Sequence, residues 1–311
     1  MTYTDAVRNA LADILRDDPR AVVVGEDVAH HGGMFRATQG LLDEFGPRRV
    51  WDTPISEAAF TGMALGAAMA GLRPVVELMF FDFSLVAMDQ LFNQIAKTRY
   101  MSGGKVDVPL VVRTQGGGYK GAAAQHSQML ESLFLHTPGW KVVAPARPED
   151  AHLLLKAAAK EQDPVLFVEH KQLYGVSGDA AEGVTQLGMA RPVRSGDVTV
   201  LSWSYMTHLV GQVEEFIDHI DLVSLNPLDW DAIANSVRRT HRVLIVQEAV
   251  GRASFGAWLA AEIQARYFDE LDAPVQLLAA KDVPLPFAKE LEAAALPSTH
   301  SIQAAIQELR R

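Results

Sequence analysis

The chain has 311 residues, 49% of them hydrophobic, which at roughly 100–200 residues per domain is enough for two sizeable cores. Its 28 Lys and Arg against 38 Asp and Glu give a formal charge of −10 with no basic run, which argues against a nucleic-acid partner because phosphate backbones are held by cationic faces. With no cysteine, disulfides, thiolate metal sites and thiol nucleophiles are excluded.

From the amino end, Thr4 followed by Ala6, Val7, Ala10, Leu11, Ile14 and Leu15 has helical spacing. Acids and arginines interrupt this segment, so it reads as a mature helix rather than a signal peptide. The longest apolar run, GMALGAAMAGL at 62–72, is well short of the roughly 20 residues that span a bilayer. A soluble, cytoplasmic protein without a membrane partner is expected. AVVVGED at 21–27 is a short apolar run of the kind found in strands buried on both faces. The alternation continues with RVWDTP, a helix from Ser56, RPVVELM, a helix within 83–101, VPLVVRT at 108–114, KVVAPA at 141–146, a helix from Pro148 to Lys160, and PVLFVEH at 164–170. Strands taking turns with helices predict crossover units and a mostly parallel, doubly wound α/β sheet.

After Lys171 the pattern gives way to Gly, Ser, Pro and scattered charge, predicting a first domain over 1–178, a linker over 179–196 and a second domain over 197–311. VTVLSW at 198–203 opens a second alternation. It runs through a helix, a strand at IDLVSL, an NPLD turn, a helix over 229–239, HRVLIVQEA at 241–249, a helix after Ser254, and PVQLLAA at 274–280.

GGGYKG at 116–121 satisfies GxGxxG, but it comes late in its domain and the next strand ends without an acid, so a glycine-rich loop approaching a ligand or another chain is preferred to a dinucleotide site. Gly62, Gly66 and Ala70 recur every fourth residue, a stripe that permits close packing within the domain or against another subunit. Glu57 follows Ser56 in the first helical turn, among Ile55, Ala58, Ala59 and Phe60, where a buried carboxylate demands a partner. Glu26 and Asp27 end a buried strand at the edge where open parallel sheets bind ligands. His126, in AAAQHSQ, follows a flexible loop that suits either a catalytic or a structural imidazole. Neither HExxH nor GxSxG occurs.

The stretch from GEDVAHHGGMF through DTPISEAAFTGMALGAAMAGLRPVVE to KTRYMSGG, with AAAQHSQ, HTPGWKVVAPARPEDAHLLLKAA and DPVLFVEHKQLYG, closely resembles the beta subunits of thiamine-diphosphate-dependent 2-oxo acid dehydrogenases. The likeness weakens but persists through NPLDW, VLIVQEA and SFGA. It implies a transketolase-like fold, a pyrimidine-binding domain followed by a transketolase C-terminal domain. It also implies a two-alpha, two-beta heterotetramer in which the alpha subunit holds Mg2+ and the diphosphate through a Gly-Asp-Gly that this chain lacks. The implied reaction is oxidative decarboxylation of a 2-oxo acid, pyruvate or branched-chain, with acyl transfer to the lipoyl group of an acyltransferase core.

By the same resemblance, Glu57 hydrogen-bonds the aminopyrimidine ring, Phe83 stacks on it, His126 faces the thiazolium carbon and the substrate, and Glu26 is an acid near the cofactor. Leu110, Ala158, Ala159, Glu161 and Asp163 match a potassium-binding loop of some relatives. An acetoin-cleaving or acyloin-forming relative and a noncatalytic scaffold are the rival readings. The chain departs from the family pattern in a shortened segment before NPLDW and in EAVGRASFGAW, which replaces a glycine-rich, Glu-containing stretch.

Overall fold

The structure, a computed structural model, describes residues 1–178 and 183–311. Residues 179–182 of the expected linker lie outside the described residues. Thr2 caps the first helix, Tyr3–Asp17, in a reciprocal arrangement with Asp5, and the apolar stripe of that helix packs on the helix Pro148–Ala158. The short apolar runs are strands: β1 (Ala21–Gly25), β2 (Val50–Asp52), β3 (Arg73–Leu78), β4 (Val111–Gly116), β5 (Lys141–Val143) and β6 (Val165–His170). Four further runs, one of them divided in two, and one unexpected segment supply β7 (Arg191–Arg194), β8 (Thr199–Ser202), β9 (Asp218–Asp221), β10 (Ser224–Asn226), β11 (Val243–Val250) and β12 (Gln276–Ala280).

Two sheets result, ordered β10-β5-β6-β4-β3-β1-β2 and β12-β11-β8-β9-β7. All neighbours are parallel except β10 against β5 and β7 against β9. The chain passes from β1 to β2 on one side and then to β3 on the other, so the carboxyl ends of β1 and β3 flank a topological switch point, where such sheets leave a crevice.

Three expectations change. RPVR, read as linker, is the edge strand β7, held to β9 by antiparallel pairing. IDLVSL is two strands in two different sheets: Val223, at φ 53°, turns the chain, sending β9 to the second sheet and β10 to the first. The helix expected within 83–101 is a 3-10 segment (Phe81–Leu85), a π-helical segment (Asp89–Ile95) and one α-helical stretch (Ala96–Met101).

The cores also do not separate cleanly by half. The largest apolar cluster joins Phe60, Leu78, Phe134 and Trp140 to Trp203, Ile245 and Phe255 across the two sheets. Below the first sheet's ligand edge lies a buried ion cluster in which Arg113 grips Glu169 through Nε (2.7 Å) and Nη2 (3.0 Å) and donates to Glu77 through Nη1 (2.8 Å). No helix among the described residues is long and apolar enough to cross a membrane.

Candidate active site

Glu26 is the first residue beyond β1, and Glu57 is the first of the helix Glu57–Met69, which follows β2. The adjacency of β1 and β2 brings the two carboxyls together, and each residue is under 10% exposed. Burial, then the charges of Glu57 and Asp27, push the Glu26 carboxyl up to about 7. One of its oxygens, Oε1, is buried with no hydrogen-bond partner, so an acceptor faces inward unused. The apolar neighbours in sequence are not what buries Glu57: Ile55 is 85% exposed and Ala59 faces solvent, while Phe60 enters the core. The helix backbone is reinforced at this end by Thr61 Oγ1, which donates to the Glu57 carbonyl (2.5 Å).

The second pair sits after β3 and β4. Phe83, in the short helix following β3, packs half-buried against the core and meets the His126 ring edge-to-face, centroids 5.5 Å apart. Phe80 approaches the same imidazole at 6.0 Å. His126 lies in the loop after β4, where Gly117 and Gly121 take left-handed φ. This is GGGYKG, which opens no helix. Met34, Phe35, Phe80, Tyr119, His126 and Lys171 line an open hollow of about 380 Å³.

The sequence reading missed Lys171, which is 3% exposed. Its Nζ lies 4.6 Å from the centre of the Phe80 ring and donates to the carbonyls of His126 and Gly117. Burial pulls its ammonium down to about 8 despite Asp82, Glu248 and Glu292 nearby. Tyr119 and Phe35 were missed as well. Phe35 stacks on Tyr174 at 4.2 Å, and the Tyr174 hydroxyl donates to Glu169 of the buried ion cluster, tying the hollow's wall to the sheet below.

The five residues matched to potassium carry oxygens already in use. The Ala159 and Glu161 carbonyls accept from Arg73 Nη1 (2.9 and 3.1 Å), the Leu110 carbonyl from the Val165 N–H (2.9 Å), and the Ala158 carbonyl from the Glu161 N–H (3.1 Å). The Asp163 carboxylate accepts from Arg99 (2.7 Å) and that of Glu161 from Lys141 (2.5 Å). Arg73, Arg99 and Lys141 therefore supply the cationic groups nearest these oxygens. Among the described residues no group of three or more His, Cys, Asp or Glu is placed to hold a metal ion.

The small-residue stripe divides in two. A Cβ on Gly62 would meet Gln90 at 3.4 Å, an internal contact, whereas Gly66 has nothing within 4 Å and lies in an open apolar face with Met63 and Met69.

Two parallel-rich sheets with paired acids and an aromatic–histidine pair at one ligand edge define a transketolase-like protein. Residues 1–177 match the family described as Transketolase, pyrimidine binding domain, and residues 188–302 that described as Transketolase, C-terminal domain. A solved structure titled split gene transketolase, inactive beta4 tetramer, shares the fold, with a TM-score of 0.82 over 99% of this chain and 98% of that one at 20% identity. Within this class the chain belongs to the family of pyruvate dehydrogenase E1 component beta subunits. It is 42% identical to that subunit of Rickettsia bellii (99% of this chain, 98% of the relative) and 43% identical to that of Porphyra purpurea (98% and 95%). The mitochondrial beta-1 subunit of Arabidopsis thaliana is 42% identical over 97% of this chain and 87% of its own length.

Proposed function

We propose that the chain is the beta half of a thiamine-diphosphate-dependent 2-oxo acid dehydrogenase. It acts with an alpha subunit in a two-alpha, two-beta assembly that decarboxylates pyruvate or a branched-chain 2-oxo acid and passes the acyl group to a lipoyl-bearing acyltransferase. A cytoplasmic location belongs to the same reading. The observation that carries it is the unpartnered Glu26 oxygen beside Glu57 at the switch-point crevice. Buried acceptors without donors fit a ligand such as an aminopyrimidine, which brings N–H groups of its own. The lack of a Gly-Asp-Gly in this chain supports assigning Mg2+ and the diphosphate to the alpha subunit.

When bound, thiamine diphosphate supplies the carbanion chemistry. The protein's part is orientation and proton traffic. Glu57 would hydrogen-bond a ring nitrogen of the bound group, in a setting where burial strengthens the bond. Glu26, protonated through much of the neutral range, keeps the pair from carrying two charges. Phe83 offers a ring face, and His126, held between Phe83 and Phe80, orients the 2-oxo acid and assists acyl transfer.

The test is co-expression with an alpha subunit and assay of decarboxylation and lipoyl acylation with pyruvate and with branched-chain acids. Glu57→Gln is expected to lower turnover by about 10²-fold or more while the assembly survives. Near-normal turnover would refute its role. Product formed only without a lipoyl acceptor would shift the reading to an acyloin-forming relative, and a wild-type assembly inert toward every acid would leave a scaffold.

A further inference from the structure

The loop that carries His126 is fastened by residues of both halves of the chain. A Cβ on Gly117 would overlap the His170 ring, and one on Gly121 would overlap the Phe287 carbonyl, so the loop lies flat against the end of β6 and the 285–296 segment. Each glycine turn presents an amide downward. The Gly118 N–H donates to Glu248 Oε1 (2.6 Å), and the Gly121 N–H donates to Glu292 Oε2 (2.9 Å). Glu248 lies in β11 and Glu292 in the helix Lys289–Ala295, and both are buried.

The Glu248 end is further defined. The His170 Nδ1 accepts from the Gln172 N–H (3.1 Å), which leaves Nε2 to carry the proton and donate to Glu248 Oε2 (2.7 Å). Gln172 Nε2 in turn donates to the Gly118 carbonyl (2.9 Å). Amide donors therefore meet carboxylates from the second half of the chain, while the loop's carbonyls at Gly117 and His126 meet the Lys171 ammonium. Charge-assisted bonds of this kind are stronger than neutral ones and fix geometry as well as energy.

We propose that Glu248 and Glu292 are positioning residues for the reaction: two carboxylates of the C-terminal half latch the glycine loop and thereby set where the His126 imidazole stands. The proposal rests on the role given to His126 above. It accounts for the placement of the chemistry after β4 while the second domain contributes no side chain to the aromatic hollow. A displacement of about 1 Å at a reacting group costs on the order of 10²-fold in rate, so loss of a latch is felt in turnover.

The experiment uses the assembled enzyme with Glu292→Ala, Glu292→Gln and Glu248→Ala, read by hydrogen–deuterium exchange of the 117–126 segment, by thermal midpoint, and by kcat and KM for the 2-oxo acid. Glu292→Ala is expected to speed exchange in that segment at least tenfold and to lower kcat about tenfold with the midpoint little changed. Glu292→Gln, which keeps an acceptor for the Gly121 N–H, is expected to restore both. Should Glu248→Ala fail to fold, the Glu292 pair decides alone. Unchanged exchange in Glu292→Ala overturns the latch, as does faster exchange spread over the whole chain. If exchange responds as expected but His126→Ala leaves turnover intact, the latch stands and the role of His126 is what fails.

Discussion

The Phe83 ring stands edge-on to the His126 imidazole, one from the segment after β3 and the other from the loop after β4. Such a ring pair contributes about 0.5–1.5 kcal/mol beyond its buried area. Phe83→Ala is therefore expected to weaken thiamine diphosphate binding by about tenfold, counting both the lost ring face and the freed imidazole. Calorimetric titration of the assembled protein reads this directly, and an unchanged dissociation constant would remove Phe83 from the site.

Glu26 makes stability depend on pH. Its folded value of about 7 lies above its ordinary 4.5, so the folded state holds the proton more tightly. The resulting stabilisation is full below pH 4.5 and is lost as pH rises through 7. Glu26→Gln removes this dependence. In the isolated chain the variant should gain on the wild type between pH 4.5 and 7 and stay ahead above 7, by about 1 kcal/mol after allowance for solvent screening. Thermal melts at pH 4.5, 6 and 8 test it, and parallel curves for the two proteins would contradict it.

Gly66 gives a probe of the open apolar face because a Cβ there has nothing within 4 Å inside the chain. Gly66→Leu is expected to leave the melting temperature of the isolated chain unchanged or slightly raised, since leucine is the better helix former. It is also expected to abolish co-purification with an alpha subunit. Normal recovery of the assembly would place the contact elsewhere.

Arg113 is fully buried between Glu77 and Glu169. Removing one partner of a buried ion cluster leaves uncompensated charge, at a cost of about 3–5 kcal/mol. Arg113→Met should lower the urea midpoint accordingly, and a loss under about 1 kcal/mol would mean that the carboxylates take up protons or solvent instead.

Much of the fold was legible because strands buried on both faces leave continuous apolar runs, such as AVVVG and VLFVEH, that need no partner to be seen. Glu26 and Glu57 could be placed for the same reason, since each follows a legible strand toward the ligand edge. The helix type within 81–101 was not legible, because apolar spacing alone does not distinguish 3-10 and π turns from α. Nor was the split at Val223, where a β-branched residue takes a left-handed conformation that local preference disfavours. Lys171 resembled any surface lysine after a strand. Glu248 and Glu292 act on amides 130 and 171 residues away, and no local pattern records a bond of that span.

β10 belongs by sequence to the second half and by hydrogen bonding to the first, where it closes the outer side of β5. The first sheet is thus finished only when the chain has been made beyond residue 226. During synthesis the amino-terminal half must wait with a bare strand edge, open to pairing with the same edge of another nascent chain. A fragment ending at 178 would keep that exposure permanently, so the two halves are expected to fold and unfold together despite matching two separate families.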